Sequence, residues 1–360
     1  MQYLRAIGLM LMMSGFAAHA DEGRINVLNW GGIYTQGQVA AFAQPFEAET
    51  GIRVRMIDTD NPATAVKAQV EAGNVTADLA SVGLGDAIRL CDEGLVAEID
   101  LTTLEEGADG SAPQDDFLEN GLGDCFVATD IYSTVIAYDA SRYADTEAPQ
   151  TIADFFDLER FPGRRGVRRD GQFILEMTLM ADGVPPGEVY EVLATPDGQD
   201  RAFAKLDTIK DQIVWWEAGA QPVQLLADGE VVMTLAFNGR VLDAALEEGM
   251  PLKTIWDGQI YELEGWVIPK GAPHEEDARR FLAWSTGSAP LARFSELSSY
   301  GPPRHSSLAL VGDYRDSKVS VAPHLPTAEA NMATALASDV TFWADHDAEL
   351  KQRFATWLAQ

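Results

Sequence analysis

Two acids set two positions apart, in Tyr261-Glu262-Leu263-Glu264-Gly265-Trp266, give the sharpest chemical signal in the chain. In an extended segment, side chains alternate between faces, so Glu262 and Glu264 share one face. Carboxylates placed that way repel unless a cation lies between them. Simple solvent exposure of Glu262 is the alternative. A second signal is Trp30-Gly31-Gly32, which directly follows the apolar run Ile25–Leu28 and precedes a helix from Tyr34. Ligands of α/β sheets bind beyond the carboxyl ends of strands. A core tryptophan rarely abuts Gly-Gly at such an end, so Trp30 is a candidate wall, and Gly31 and Gly32 would expose backbone N–H groups. Tyr34 either joins the site or simply starts the helix. A phosphate loop is not supported, because G-x-G-x-x-G is not satisfied and no lysine follows. In Trp215-Trp216-Glu217 one indole belongs to the core and the other can line a cleft, with Trp216 the candidate.

Catalytic chemistry has little to work with. There is no Ser-His-Asp arrangement and no cofactor loop. His274, His305, His324 and His346 are scattered without i, i+4 spacing, and no C-x-x-C occurs, so a metal site has no support. The expectation is a binding protein that needs no cofactor and no metal. A secreted enzyme using Asp170 and Glu264 as an acid/base pair is the alternative from a different class.

The elements that must position these residues follow from pattern. Strands at Ile25–Leu28, Ile52–Ile57 and Asp78–Val82 alternate with helices from Tyr34, at Pro62–Ala72 and at Asp86–Glu93, which indicates a doubly wound parallel sheet. Pro45 should kink or split the first helix. Further on, Ile131–Tyr138, Val231–Phe237 and Trp266–Pro269 read as strands. Thr151–Leu158, Phe173–Met180, Asp200–Ile213, Val241–Glu248, Asp277–Ser285, Ala328–Ala337 and His346–Leu358 read as helices, and the acidic stretch Glu105–Asp116 as a surface loop. No repeat and no low-complexity linker interrupts the pattern, so the chain passes between two lobes rather than forming two beads on a string.

At 360 residues the chain suits two domains. Its 26 Lys+Arg against 56 Asp+Glu give a formal net charge of −30, which disfavours nucleic acid and anionic lipid as partners. Met1–Arg5, the apolar run Ala6–Ala17 and Ala18-His19-Ala20 form a secretory signal peptide with cleavage after Ala20, too short to span ~30 Å of hydrocarbon. Cys91 and Cys125, the two cysteines of an exported chain, are expected to form one disulfide.

The chain resembles the extracellular solute-binding proteins of ABC importers, and among them the periplasmic polyamine (spermidine/putrescine) binders. The resemblance rests on the order of Ile25-Asn26-Val27-Leu28-Asn29-Trp30-Gly31-Gly32, Phe46-Glu47-Ala48-Glu49-Thr50-Gly51-Ile52, Ala77-Asp78-Leu79-Ala80, Cys91-Asp92-Glu93-Gly94-Leu95 and Thr134-Val135-Ile136-Ala137-Tyr138-Asp139. Glu230-Val231-Val232-Met233, Asn238-Gly239-Arg240 and Trp266-Val267-Ile268-Pro269-Lys270-Gly271 continue it, so that it spans essentially the whole mature chain.

That resemblance implies an α/β, two-lobe periplasmic-binding-protein fold (type II-like) with a hinge of crossing strands, at Ile131–Tyr138 and Tyr261–Pro269. The implied lobes are residues 21–135 with 266–305, and 136–265 with 306–360. It implies a periplasmic, monomeric protein that takes a small polyamine-like cation and delivers it to ABC permease subunits. Trp30 would cover the ligand's hydrocarbon chain, Asp170 and Glu264 would pair with ammonium groups, and Phe237 would stand where relatives carry a tryptophan. Asp170 is equally readable as an ordinary helix N-cap. Tyr300, before Gly301-Pro302-Pro303, would sit at a cleft turn. The family's serine and tyrosine after the third strand are Gly83 and Gly85 in this sequence. Arg240 stands where a putrescine binder has a carboxylate, and an arginine beside acids suits a zwitterionic amine or amino acid derivative. A helix-surface ion pair with Asp243 is the alternative. The cluster Arg164, Arg165, Arg168 and Arg169 reads as a solvated edge.

Overall fold

The computed structural model describes residues 23–144 and 146–360; the expected signal peptide, residues 1–20, lies outside them. The strands are β1 (Arg24–Asn29), β2 (Arg53–Asp58), β3 (Leu79–Gly83), β4 (Leu122–Gly123), β5 (Phe126–Asp139), β6 (Arg165–Arg168), β7 (Ile213–Trp216), β8 (Met233–Phe237), β9 (Leu252–Val267) and β10 (Leu336–Ala337). They form one sheet in the order β2-β1-β3-β9-β5-β8-β6-β7, with β4 beside β5 and β10 beside β9. β1 runs parallel to β2 and β3, and β6 runs parallel to β7 and β8. Between these two parallel sets lie β5 and β9, long and antiparallel to each other. This is the two-lobe α/β fold, with β5 and β9 as its crossing strands. Both are longer than the sequence pattern suggests, because their buried polar residues interrupt the apolar run.

Each lobe has its own core. One is built from Ile25, Val27, Phe42, Phe46, Trp266, Phe281 and Phe294 on one side of the sheet, and Leu28, Val66, Val82, Leu90 and Val267 on the other. The second gathers Phe155, Leu175, Leu206, Trp216 and Met233 with Trp343, Leu350 and Phe354 of the C-terminal helix Val340–Leu358. Local chemistry fixes the elements. Asn61 caps the helix Pro62–Glu71 by accepting from the Thr64 N–H at 2.8 Å, with proline at the first helical position, where its missing N–H costs nothing. The Cys91–Cys125 disulfide ties the end of the helix Leu84–Asp92 to the residue before β5. Closing a 34-residue separation contributes about 3–4 kcal/mol by chain entropy.

Several elements differ from the sequence pattern. At Pro45 the α-helix is interrupted rather than ended: a π-helical turn, Val39–Ala43, separates the helix Gly32–Gln38 from the helix Gln44–Thr50, in whose first turn Pro45 sits. The helix read over Asp200–Ile213 stops at Asp207, and Ile213–Trp216 is the strand β7. The last residues of the expected helix Ala328–Ala337 instead form β10, paired with β9. β6 escaped notice because its sequence is Arg-Gly-Val-Arg. Arg165 is 0% exposed, and its guanidinium donates to the carbonyls of Phe155, Gly163, Asp157 and Phe161. The expected solvated edge is therefore a structural strut at this residue. The acidic stretch ends in a similar way, with Asp116 buried against Arg304 at 2.6 Å.

Candidate functional site

The parallel strands of both lobes end towards the crossing strands, so the cleft has β5 and β9 as its floor and strand ends as its walls. Register sets the floor: Asp130 pairs with Glu264 and Tyr132 with Glu262. Residues two apart share a face, so these four side chains lie on one face of the crossing pair. Tyr132 donates its hydroxyl to Glu262, and Gln172 Nε2 donates to the same carboxylate at 3.1 Å.

The first wall comes from β1, β3 and the helix Gly32–Gln38. Asn29, buried at the end of β1, is held by Gln38 at 2.7 Å and accepts the Trp30 N–H at 2.8 Å. Trp30 is thereby set at the lip, 37% exposed, with its indole N–H donating to Glu264 at 2.5 Å. Gly31 has φ of 82°, and a Cβ there would approach the Asp58 carboxylate at 3.3 Å, so glycine allows this exit from the strand. Tyr34 donates to Asp130 at 2.8 Å and lies 3.2 Å from Ser81 Oγ. Gly83 leaves room beside Glu264, since a Cβ would stand 3.9 Å from its Oε2.

The second wall is formed by the ends of β6, β7 and β8. Arg168 and Trp216 are register partners there, and Phe237 caps β8. Phe237 meets Trp216 edge-on at 6.2 Å and Tyr132 at 5.8 Å. Trp216 is 2% exposed, and its indole N–H has no partner among the described residues. Trp215, by contrast, packs on Phe354 and Trp357. Tyr300 continues the aromatic line, 6.4 Å from Tyr132 and 5.9 Å from Tyr34. Gly239 is what lets it approach: a Cβ there would meet Tyr300 and the Ser298 carbonyl, both at 2.7 Å. Arg240, itself exposed, follows in the otherwise buried first turn of the helix Asn238–Leu246. Its expected partner Asp243 instead binds Arg315 at 2.8 Å and the Tyr314 hydroxyl at 2.9 Å. Among the described residues, neither Arg168 nor Arg240 has a carboxylate within ion-pair distance.

Burial dominates the electrostatics. It pushes Asp130 up to about 7 and raises Glu262. Glu264 rises well above the carboxylate range, first by burial and then by the negative charge of Asp130. Arg168 works against this at Glu262 and Tyr132, while Arg240 is the largest charge acting on Tyr300. The floor therefore favours positive charge near Asp130 and Glu264, and the second wall supplies guanidinium groups that have no ion-pair partner among the described residues.

Comparison with known proteins agrees with this architecture. The family model of the bacterial extracellular solute-binding proteins matches residues 41–327. The chain belongs to that family. Solute-binding proteins hold small molecules for ABC permeases and are not enzymes, and membership implies a periplasmic location; none of the described helices is long and apolar enough to cross a membrane. A gamma-aminobutyric acid-binding protein of Pseudomonas aeruginosa is 41% identical to this solute-binding protein over 344 residues, 96% of this chain and 93% of that one. The Atu4243 GABA receptor is 31% identical, with a TM-score of 0.78 over 94% of this chain and 98% of that one. The spermidine/putrescine-binding PotD of Streptococcus pneumoniae shares the fold at a TM-score of 0.70, over 93% of this chain and 99% of that one, at 17% identity.

In this solute-binding protein Trp30, Gly31, Tyr34, Glu262, Glu264, Phe237, Trp216, Tyr300 and Arg240 are drawn around one cleft. Asp170 is not joined to them. Its carboxylate accepts the Gln172 N–H at 3.2 Å, in a groove beside Lys351 and Phe354 of the C-terminal helix. Sequence reasoning passed over Asp130, Tyr132, Ser81, Arg168 and Gln172. Asp130 and Tyr132 carry the same two-residue alternation as Glu262 and Glu264, but the β-rich pattern in the sequence begins only at Ile131, five residues into β5. Arg168 was hidden in a cluster whose members turn out to have separate tasks.

Proposed function

We propose that this protein binds a zwitterionic amine whose two charges are separated by several methylenes, with γ-aminobutyrate as the leading candidate, and presents it to an ABC permease as a monomer. The observation that carries the reading is that one cleft contains buried carboxylates on its floor and, on one wall, guanidinium groups with no ion-pair partner among the described residues. Glu264, with Trp30 and Asp130, receives the ammonium, while Arg168 and Arg240 receive the carboxylate. Glu262 and Glu264 are two residues apart, about 7 Å along a strand, and Arg168 acts on the Glu262 end. Two charges on one carbon do not span that distance, whereas an ω-amino acid does. The GABA-binding relatives support this reading. A polyamine would bring a second ammonium towards Arg168 and Arg240. Glu262 would offer that second ammonium a buried carboxylate, which makes putrescine the second reading. The lobes that close over the ligand are taken as residues 21–135 with 266–305, and 136–265 with 306–360.

Titration calorimetry with γ-aminobutyrate, putrescine, spermidine and glycine tests the reading. γ-Aminobutyrate is expected to bind and the others to bind at least tenfold more weakly. Tighter binding of putrescine or spermidine overturns it.

A further inference from the structure

Asp130 and Glu264 stand directly opposite each other across β5 and β9, on one face. Asp130 is 1% exposed and Glu264 is 6% exposed. Asp130 Oδ2 accepts from Tyr34 and Thr129, while its Oδ1 is buried with no partner among the described residues. Glu264 accepts from Trp30 and Ser81. The surrounding elements therefore offer neutral donors: Trp30 after β1, Tyr34 from the helix Gly32–Gln38 and Ser81 from β3. Glu262 on β9 adds a further acid and Tyr132 on β5 is bonded to it; Arg168 of β6 and Asp86 of the helix Leu84–Asp92 act on Glu262, and Tyr300 lies nearby under the charges of Arg240 and Asp243. Among the described residues, no lysine, arginine or histidine pairs with either carboxylate. Two ionised carboxylates this close and this buried cannot both persist without a cation.

We propose that Asp130 and Glu264 together form one ammonium subsite, which holds a proton when empty and releases it to solvent when a cationic amine enters. Asp130 is thus a second specificity-determining carboxylate, and ligand capture is a cation-for-proton exchange. The upward shift of both groups by burial agrees with this geometry. The inference rests on the amine reading of the cleft but not on which amine binds.

The ligand-free protein gives a test independent of the ligand. Infrared absorption of protonated carboxyl groups at about pH 6.5, with E176Q as reference because burial also pushes Glu176 up to about 8, should decrease in D130N/E176Q and in E264Q/E176Q. An unchanged band in both overturns the proposal. Calorimetry with γ-aminobutyrate in two buffers of different ionisation enthalpy should show release of close to one proton per ligand at about pH 6. Affinity should fall about tenfold per pH unit below about 7, as expected for one linked proton. In D130N the onset of that fall moves to lower pH, because Glu264 no longer faces a second charge. γ-Aminobutyrate binding without proton release, or an unchanged pH profile in a folded D130N, overturns the exchange. If putrescine binds and γ-aminobutyrate does not, the zwitterion reading fails, and the proton count taken with putrescine decides the exchange separately.

Discussion

The two walls of the cleft solve different problems with similar aromatic material. On the side of β1 and β3, every polar group near the floor is neutral or acidic: Trp30 and Ser81 donate to Glu264, and Tyr34 donates to Asp130. On the side of β6 and β8, the cations Arg168, at a strand end, and Arg240, at a helix start, stand on the wall, while the acids that follow β6 and β7, Asp170 and Glu217, lie in the groove beside the C-terminal helix. Tyr132 and Tyr300 stand between them. An aromatic surface alone would accept any amphipathic amine, so opposite charge at the two ends is what gives a ligand orientation. The same contrast occurs within three residues of β6. Arg165 is consumed by four backbone carbonyls and serves the fold, while Arg168 has no ion-pair partner among the described residues and acts on Glu262 from a distance.

Removing the acidic end should have the largest effect. Glu264→Gln is expected to weaken γ-aminobutyrate binding by about 2–5 kcal/mol, the range for truncating one member of a buried charge pair; calorimetry reads it, and an unchanged affinity places the ammonium elsewhere. Removing the basic end comes next. Arg168→Ala should cost about 1.5–3 kcal/mol for a lost charged hydrogen bond, and Arg240→Ala less, because it is exposed. Neither should weaken putrescine binding, so a parallel loss for both ligands would break the contrast between the walls. Trp30→Ala should cost about 1–3 kcal/mol through lost apolar cover and cation–π contact, with the thermal transition preserved. Asp170→Asn marks the lower limit: a change within about 0.5 kcal/mol is expected for a surface position away from the ligand. A loss comparable to that of Glu264→Gln would bring the groove beside Lys351 and Phe354 into the binding site.

Much of this was legible in the residues. Hydrophobic period and turn residues gave the alternating strands and helices of the first lobe, because amphipathic elements advertise their buried face locally. The pair Glu262 and Glu264 and the exposed Trp30 before two glycines were readable for the same reason, since one strand's alternation and one strand's end determine them. The cysteine pair followed from export and arithmetic. What only the tertiary structure decided was the meaning of residues whose partners lie far away in sequence. Asp130 comes to face Glu264, 134 positions away, because β5 pairs with β9 with a register shift just before Asp130. Arg165 and Arg168 look alike in sequence and differ only in what β6 lies against. Asp170, three residues before a helix, was drawn towards the ligand by resemblance and towards the helix Val340–Leu358 by packing. Sequence period fixes which face a side chain takes; the crossing of two long strands fixes what it meets there.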